Sequence, residues 1–229
     1  MTYLIIILKK GCEPMPIILG LFLLFIIWFQ YQKRKSSKVE QDERASFIKR
    51  ESEANLTRKQ DISNLDYLSL PTTGLPLKNG RDKTLNHYIK TYLSYIDKKI
   101  INLSHYSNTE LKEQFGLANL ATLSQYDENF YSLTKLLNDW GLHLFEVNKL
   151  NEATQVLELA ITIKTEITQC YVNLATIYAK QQRLEKIAFV KNSYSSLTES
   201  PSEKVLGELD KLAFQCLVEA DTEPDCLPY

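Results

Sequence analysis

Residues 137–160 read LNDWGLHLFEVNKLNEATQVLELA, and the spacing within them decides the fold. Leu137, Trp140, Gly141 and Leu144 recur at three- and four-residue steps, which places them on one stripe of a helix. The polar joint Asn148-Lys149-Leu150-Asn151 interrupts that stripe, and Ala153, Leu157 and Ala160 resume it. Small residues at Gly141, Ala153 and Ala160 let two helices approach, while Trp140, Leu144 and Leu157 fill the space between them. The stretch predicts a tightly packed helical hairpin.

A shift of 34 residues repeats the pattern as YVNLATIYAKQQRLEKI, residues 171–187. Leu137 maps to Tyr171, Trp140 to Leu174, Gly141 to Ala175, Leu144 to Tyr178 and Leu150 to Leu184. The pair resembles the tetratricopeptide repeat, a 34-residue helix–turn–helix unit. The second unit departs from the family pattern at Ile187, where a small residue is usual, and at Lys191, where a large apolar one is. The proline that often closes a unit is Thr165 in the first, while Pro201 closes the second. The resemblance implies an all-α, right-handed stack of antiparallel helix pairs over 136–200, with a concave groove lined by the first helix of each unit. In that register the groove presents Asn138, Leu142, Phe145, Val172, Asn173, Thr176 and Lys180. Some family members clamp a C-terminal carboxylate with Lys and Asn. Asn173 suits that role, but Asn138 and Leu142 stand where Lys and Asn are needed, so an apolar or mixed peptide is the expected ligand.

Upstream, residues 80–135 predict divergent helical hairpins. Leu85, Ile89, Tyr92, Leu93, Ile96, Ile100 and Ile101 predict a helix of about twenty residues. Ser107, Asn108 and Thr109 can cap a short helix that Gly116 ends, and Asp127 can cap the next long one. Residues 61–79, with Pro71, Gly74 and Pro76, predict an extended strap packed on its own domain through Leu65, Leu68, Leu70, Leu75 and Leu77. A capping helix is expected over 201–219 and an acidic tail over 220–229.

The N-terminal side is of another kind. Residues 15–31, MPIILGLFLLFIIWFQY, carry no charge and predict a transmembrane helix about 25 Å long. Trp28 and Tyr31 suit the headgroup layer, and Lys33, Arg34, Lys35 and Lys38 follow at once. That basic flank predicts a cell-membrane protein, single-pass, with its C-terminal domain cytoplasmic. No small-x-small cleavage site follows the apolar run. Residues 1–14 fit no element, and Met15 is the expected translation start. Residues 32–60 predict a polar, partly helical linker.

Composition bounds what the chain does. Gly and Pro number seven each, which favours long helices. The net charge of −1 supplies no global field for nucleic acid, so none is expected as a partner. Cys12, Cys170, Cys216 and Cys226 show no metal spacing, and His87, His105 and His143 have no ligand or acid–base companions in sequence. No phosphate loop or nucleophile elbow occurs. A non-catalytic chain with no cofactor and no metal is therefore expected, holding the lipid bilayer through residues 15–31 and an unidentified protein or peptide partner in its groove. A signal-anchored domain outside the cytoplasm, serving adhesion, ligand capture or envelope assembly, is the alternative.

Overall fold

A computed structural model gives the backbone of residues 14–197 and 200–222, with side chains except those of 14–18, 37, 39 and 219–222. Every regular element among the described residues is a helix. In chain order these are α1 (Pro14–Ala54), α2 (Lys83–Leu93), α3 (Asn108–Phe115), α4 (Leu117–Glu146), α5 (Leu150–Thr162), α6 (Thr168–Lys180), α7 (Leu184–Ser195) and α8 (Glu203–Thr222). The chain divides into two units, residues 1–60 with 108–118, and residues 61–107 with 119–229. The expectations for residues 1–13 and 223–229 lie outside the described residues.

In the first unit, α1 continues without a break through residues that the sequence assigns to anchor and linker, 41 residues or about 60 Å. Among the described residues no helix is long and apolar enough to cross a membrane. The expected span starts at Met15, so its first four side chains are not among those described. Toward its end α1 meets α3. Arg50 grips Glu113 through two parallel bonds of 2.6 Å, and Glu51 accepts from Thr109 Oγ1 at 2.7 Å and pairs with Lys112. Gly116 then turns the chain at φ +84, where a Cβ would stand 2.5 Å from the Arg58 carbonyl oxygen. Only glycine fits that approach.

The second unit holds the main core, in which Trp140, Tyr92, Tyr171, Tyr178 and a set of leucines are fully buried. Here α6 packs on α5, α7 and α8. The two hairpin turns superpose in register. Asn148 and Gln182 both adopt positive φ, at 59 and 54. Their N–H groups donate to Phe145 O and Ala179 O at 3.0 Å, and the next N–H groups, of Lys149 and Arg183, donate to Leu144 O and Tyr178 O at 2.9 Å. This nested pair of bonds satisfies the carbonyls that a helix end leaves open. It recurs with a separation of 34 residues. Lys164 at φ 59 closes α5 in the same way, with Thr165 N–H donating to Ala160 O. A proline at 165 would forfeit that bond.

Helix spacing in the second pair follows the first. Leu137, Trp140, Gly141 and Leu144 are buried, as are Tyr171, Leu174, Ala175 and Tyr178. The departure at Lys191 has a local cause: its ammonium reaches Asp210 of α8 at 2.5 Å instead of filling a core position.

The N-terminal half of this unit differs from the sequence reading in two places. The helix expected to run to Ile101 stops at Leu93, and Ile100, Ile101 and Leu103 are buried from an irregular segment. That segment runs along α4 through Ile101 N–H to Tyr126 O and Asn129 Nδ2 to Lys99 O. Asp127 caps no helix. It lies within the unbroken α4, and its Oδ1 accepts from Leu103 N at 2.8 Å. The strap at 61–79 is irregular, with Leu68, Leu70, Leu75 and Leu77 against the core and Pro71 O accepting from Tyr92 Oη at 2.8 Å.

Two outcomes test this packing. A Cβ on Gly141 would lie 2.6 Å from Leu157 Cγ and Cδ2. Gly141→Ala should lower stability by about 1 kcal/mol, because overpacking of about 1–3 kcal/mol outweighs a helix-propensity gain of about 0.5–1. In a Leu157→Ala background the same change should stabilise, and urea unfolding of all four variants reads the reversal. Second, hydrogen bonds from Lys112 and Arg50 hold Glu51 and Glu113 below their ordinary 4.5. Depressed carboxylates add stability above 4.5 that is lost as pH falls further. Amide protection over 108–115, taken relative to the intrinsic exchange rate at each pH, should therefore fall below pH 4.5, and much less so in Glu51→Gln/Glu113→Gln.

Candidate functional site

The C-terminal half of α4 and all of α6 are the first helices of the two repeated pairs, and contacts at both ends align them. Cys170 Sγ lies 3.5 Å from Asn138 Oδ1, and Lys180 Nζ lies 4.4 Å from the centre of the Phe145 ring. Those contacts pair residues 32 and 35 apart, on either side of 34, so the two helices run side by side in the same direction. The surface between them is the candidate groove.

Of the seven residues expected there, Asn138, Leu142, Phe145, Val172 and Thr176 are half-buried and Lys180 is exposed. Contacts between the helices bring Phe145 to Lys180 and Asn138 to Cys170. Thr176 Oγ1 donates to Val172 O of its own helix at 2.8 Å. Asn173 is 8% exposed, deeper than expected. Its Oδ1 accepts from Gln169 Nε2 at 2.8 Å, and its Nδ2 has no partner. Burying an amide donor unmatched costs about 1–3 kcal/mol, so this position is adverse to stability.

Cys170, absent from the expected set, sits at the groove floor between Asn138 and the core. It is a free, fully buried thiol whose burial pushes its pKa up to about 12, so it is inert as a nucleophile. At the same end, Asp127, Phe130, Tyr131 and Thr134 of α4 join Asn102 and Ser104 of the irregular segment after α2, and Glu166 and Ile167 before α6, around a cavity of about 290 Å³. No sequence signal marks it, because its walls come from segments far apart in the chain.

One companionship is supplied by folding alone. Asp82 Oδ2 lies 2.7 Å from His143 Nε2, across 61 residues, while Asp82 Oδ1 caps α2 by accepting from Thr84 N and Leu85 N. The His143 bond, then those backbone bonds, hold Asp82 below the usual carboxylate range. The Tyr88 ring covers His143 at 5.8 Å. The pair fastens the start of α2 to α4.

On α1, Trp28, Tyr31, Lys33, Arg34, Lys35 and Lys38 are all solvent-exposed. No protein-family model, curated protein or solved structure matches this chain.

Asn173→Leu should raise the unfolding free energy by about 1 kcal/mol, since it removes an unmatched buried donor and releases Gln169 to solvent. A fall in thermal midpoint would show that Asn173 Nδ2 is satisfied in the free protein.

Proposed function

We propose that this chain is a membrane-tethered interaction module, non-catalytic, that binds a peptide or a partner helix in a groove like that of tetratricopeptide repeats. The observation that carries the reading is the recurrence, 34 residues apart, of one turn geometry between buried helix pairs whose first helices lie parallel. Stacked pairs of this kind leave their first-helix faces available, and here that face carries half-buried, apolar Leu142 and Phe145.

The tether rests on α1. Leu19, Leu21, Phe22, Leu23, Leu24, Phe25, Ile27, Trp28 and Phe29 are 53–65% exposed. Successive positions turn by about 100°, so they point in every direction around the axis. A helix docked on protein would hide one side, whereas one exposed all round with no polar face suits hydrocarbon. Residues 15–18 extend the uncharged run to 17, and Lys33 to Lys38 stand where anionic headgroups would lie. The basic flank favours a cytoplasmic domain.

Carbonate extraction and thiol labelling test tether and side together. The full chain should stay with the membrane pellet, and release to the supernatant would refute the anchor. Cys170 and Cys216 are buried and serve poorly as reporters, so a cysteine is placed at exposed Glu185. With Cys12 and Cys226 replaced by Ser, Glu185→Cys should resist a membrane-impermeant maleimide in intact cells and react after permeabilisation. Reaction in intact cells would instead favour the signal-anchored, extracytoplasmic alternative.

A further inference from the structure

We infer that the cavity at the Asn138 end of the groove is a pocket for a basic side chain, Arg or Lys, of a linear partner segment. The inference deepens the groove reading and rests on it for the direction in which the segment runs.

The cavity's chemistry selects its occupant. Two carboxylates from separate elements, Asp127 of α4 and Glu166 before α6, line it together with the rings of Phe130 and Tyr131. Among the described residues neither carboxylate makes an ion pair, and Asp127 spends one oxygen on Leu103 N. Tyr131 is 65% exposed, a large aromatic surface left open at a concave site. Aromatic faces and carboxylates attract the same ligand class, an organic cation, through ring quadrupole and charge-assisted hydrogen bonds respectively. A hard divalent cation would want six or more oxygens; beyond the two carboxylates the walls offer only Asn102, Ser104 and Thr134, whose oxygens are already engaged, Ser104 with Asn102 Oδ1 and Thr134 with Tyr131 O. At about 290 Å³ the space suits one side chain and its first contacts, at the lower edge of small-ligand pockets.

Position argues for a peptide over a free amine. Thr134, in the cavity wall, is one helical turn from Asn138, and Ile167 is three residues from Cys170, so the cavity continues into the groove. The far end carries a cation of its own, Lys180 above Phe145. A segment lying along α4 would thus meet negative charge first and positive charge last, which fixes its direction. Asp127 to Phe145 spans about 27 Å of helix, a length that an extended chain covers in about eight residues.

The test selects peptides of about ten residues from a random displayed library on the full chain in detergent. Recovered sequences should share Arg or Lys at one fixed position. A recovered peptide should bind Asp127→Asn/Glu166→Gln at least ~10-fold more weakly, as expected when one charge-assisted contact is lost, and should weaken likewise when citrulline replaces its arginine. Asn at 127 can still accept from Leu103 N, so the local fold is kept, and Glu152→Gln/Glu185→Gln controls for general charge. Selection of peptides without a fixed basic position, equal binding by the double variant, or no selection at all would overturn the pocket. The groove is scored separately with Leu142→Glu/Phe145→Glu. If that variant abolishes binding of peptides lacking a basic residue, the groove stands and the pocket falls. If basic peptides need Asp127 and Glu166 but ignore Leu142 and Phe145, the pocket stands and the groove reading falls.

Discussion

The contact of Gly141 with Leu157 governs the second unit. With no Cβ in the way, the Leu157 side chain lies directly on the α4 backbone, and α5 can follow α4 as a close antiparallel partner. That closeness demands a tight reversal, which the left-handed residue Asn148 and its nested carbonyl bonds supply. The same reversal at Gln182 then sets α7 against α6. Ala175 takes Gly141's place there, facing a second helix that has lost its leucine to Lys191.

How far this was legible depended on the range of the forces involved. The paired helices of 136–200 could be read because their packing is written at three- and four-residue steps and repeated after 34. The start of α4 could not. Gly116 and Asp127 look like a stop and a new cap, yet Leu117 to Glu146 is continuous. Asp127 is drawn off its local role by Leu103 N, 24 residues away. Ile100 and Ile101 keep helical spacing with Ile96 and still leave α2, because their burial comes from a segment lying along α4 and not from α2's own face. Long-range partners override local periodicity wherever backbone groups of a buried loop need satisfying.

The same limit applies to the candidate site. Register alone sets Asn138 beside Val172 and Phe145 beside Ala179, since parallel repeated helices align residues about 34 apart, and the contacts between α4 and α6 are Asn138 with Cys170 and Phe145 with Lys180. Asn173 was placed on the outward face and lies deeper, where it leaves Nδ2 unmatched. Cys170 is not marked by the sequence, because a small apolar side chain in a helix carries no functional signal. His143 had no visible companion because Asp82 lies 61 residues upstream, held in place by its duty as cap of α2.

Charge along the groove gives the last step. A surface shaped to clamp an acidic C-terminus would gather cations where the ligand's carboxylate lands. Here Lys180 lies against an aromatic ring at one end, uncharged Leu142 stands between, and Asp127 and Glu166 line the cavity beside Asn138 at the other. Asp139 lies close enough to Cys170 to add to the rise in its pKa, so the same end is negative in field as well as in lining. An acidic segment would meet repulsion at the cavity end, whereas one basic there and apolar beyond would meet complementary surface. Net charge near zero hides this polarity completely, because it is made by where the carboxylates sit and not by how many there are.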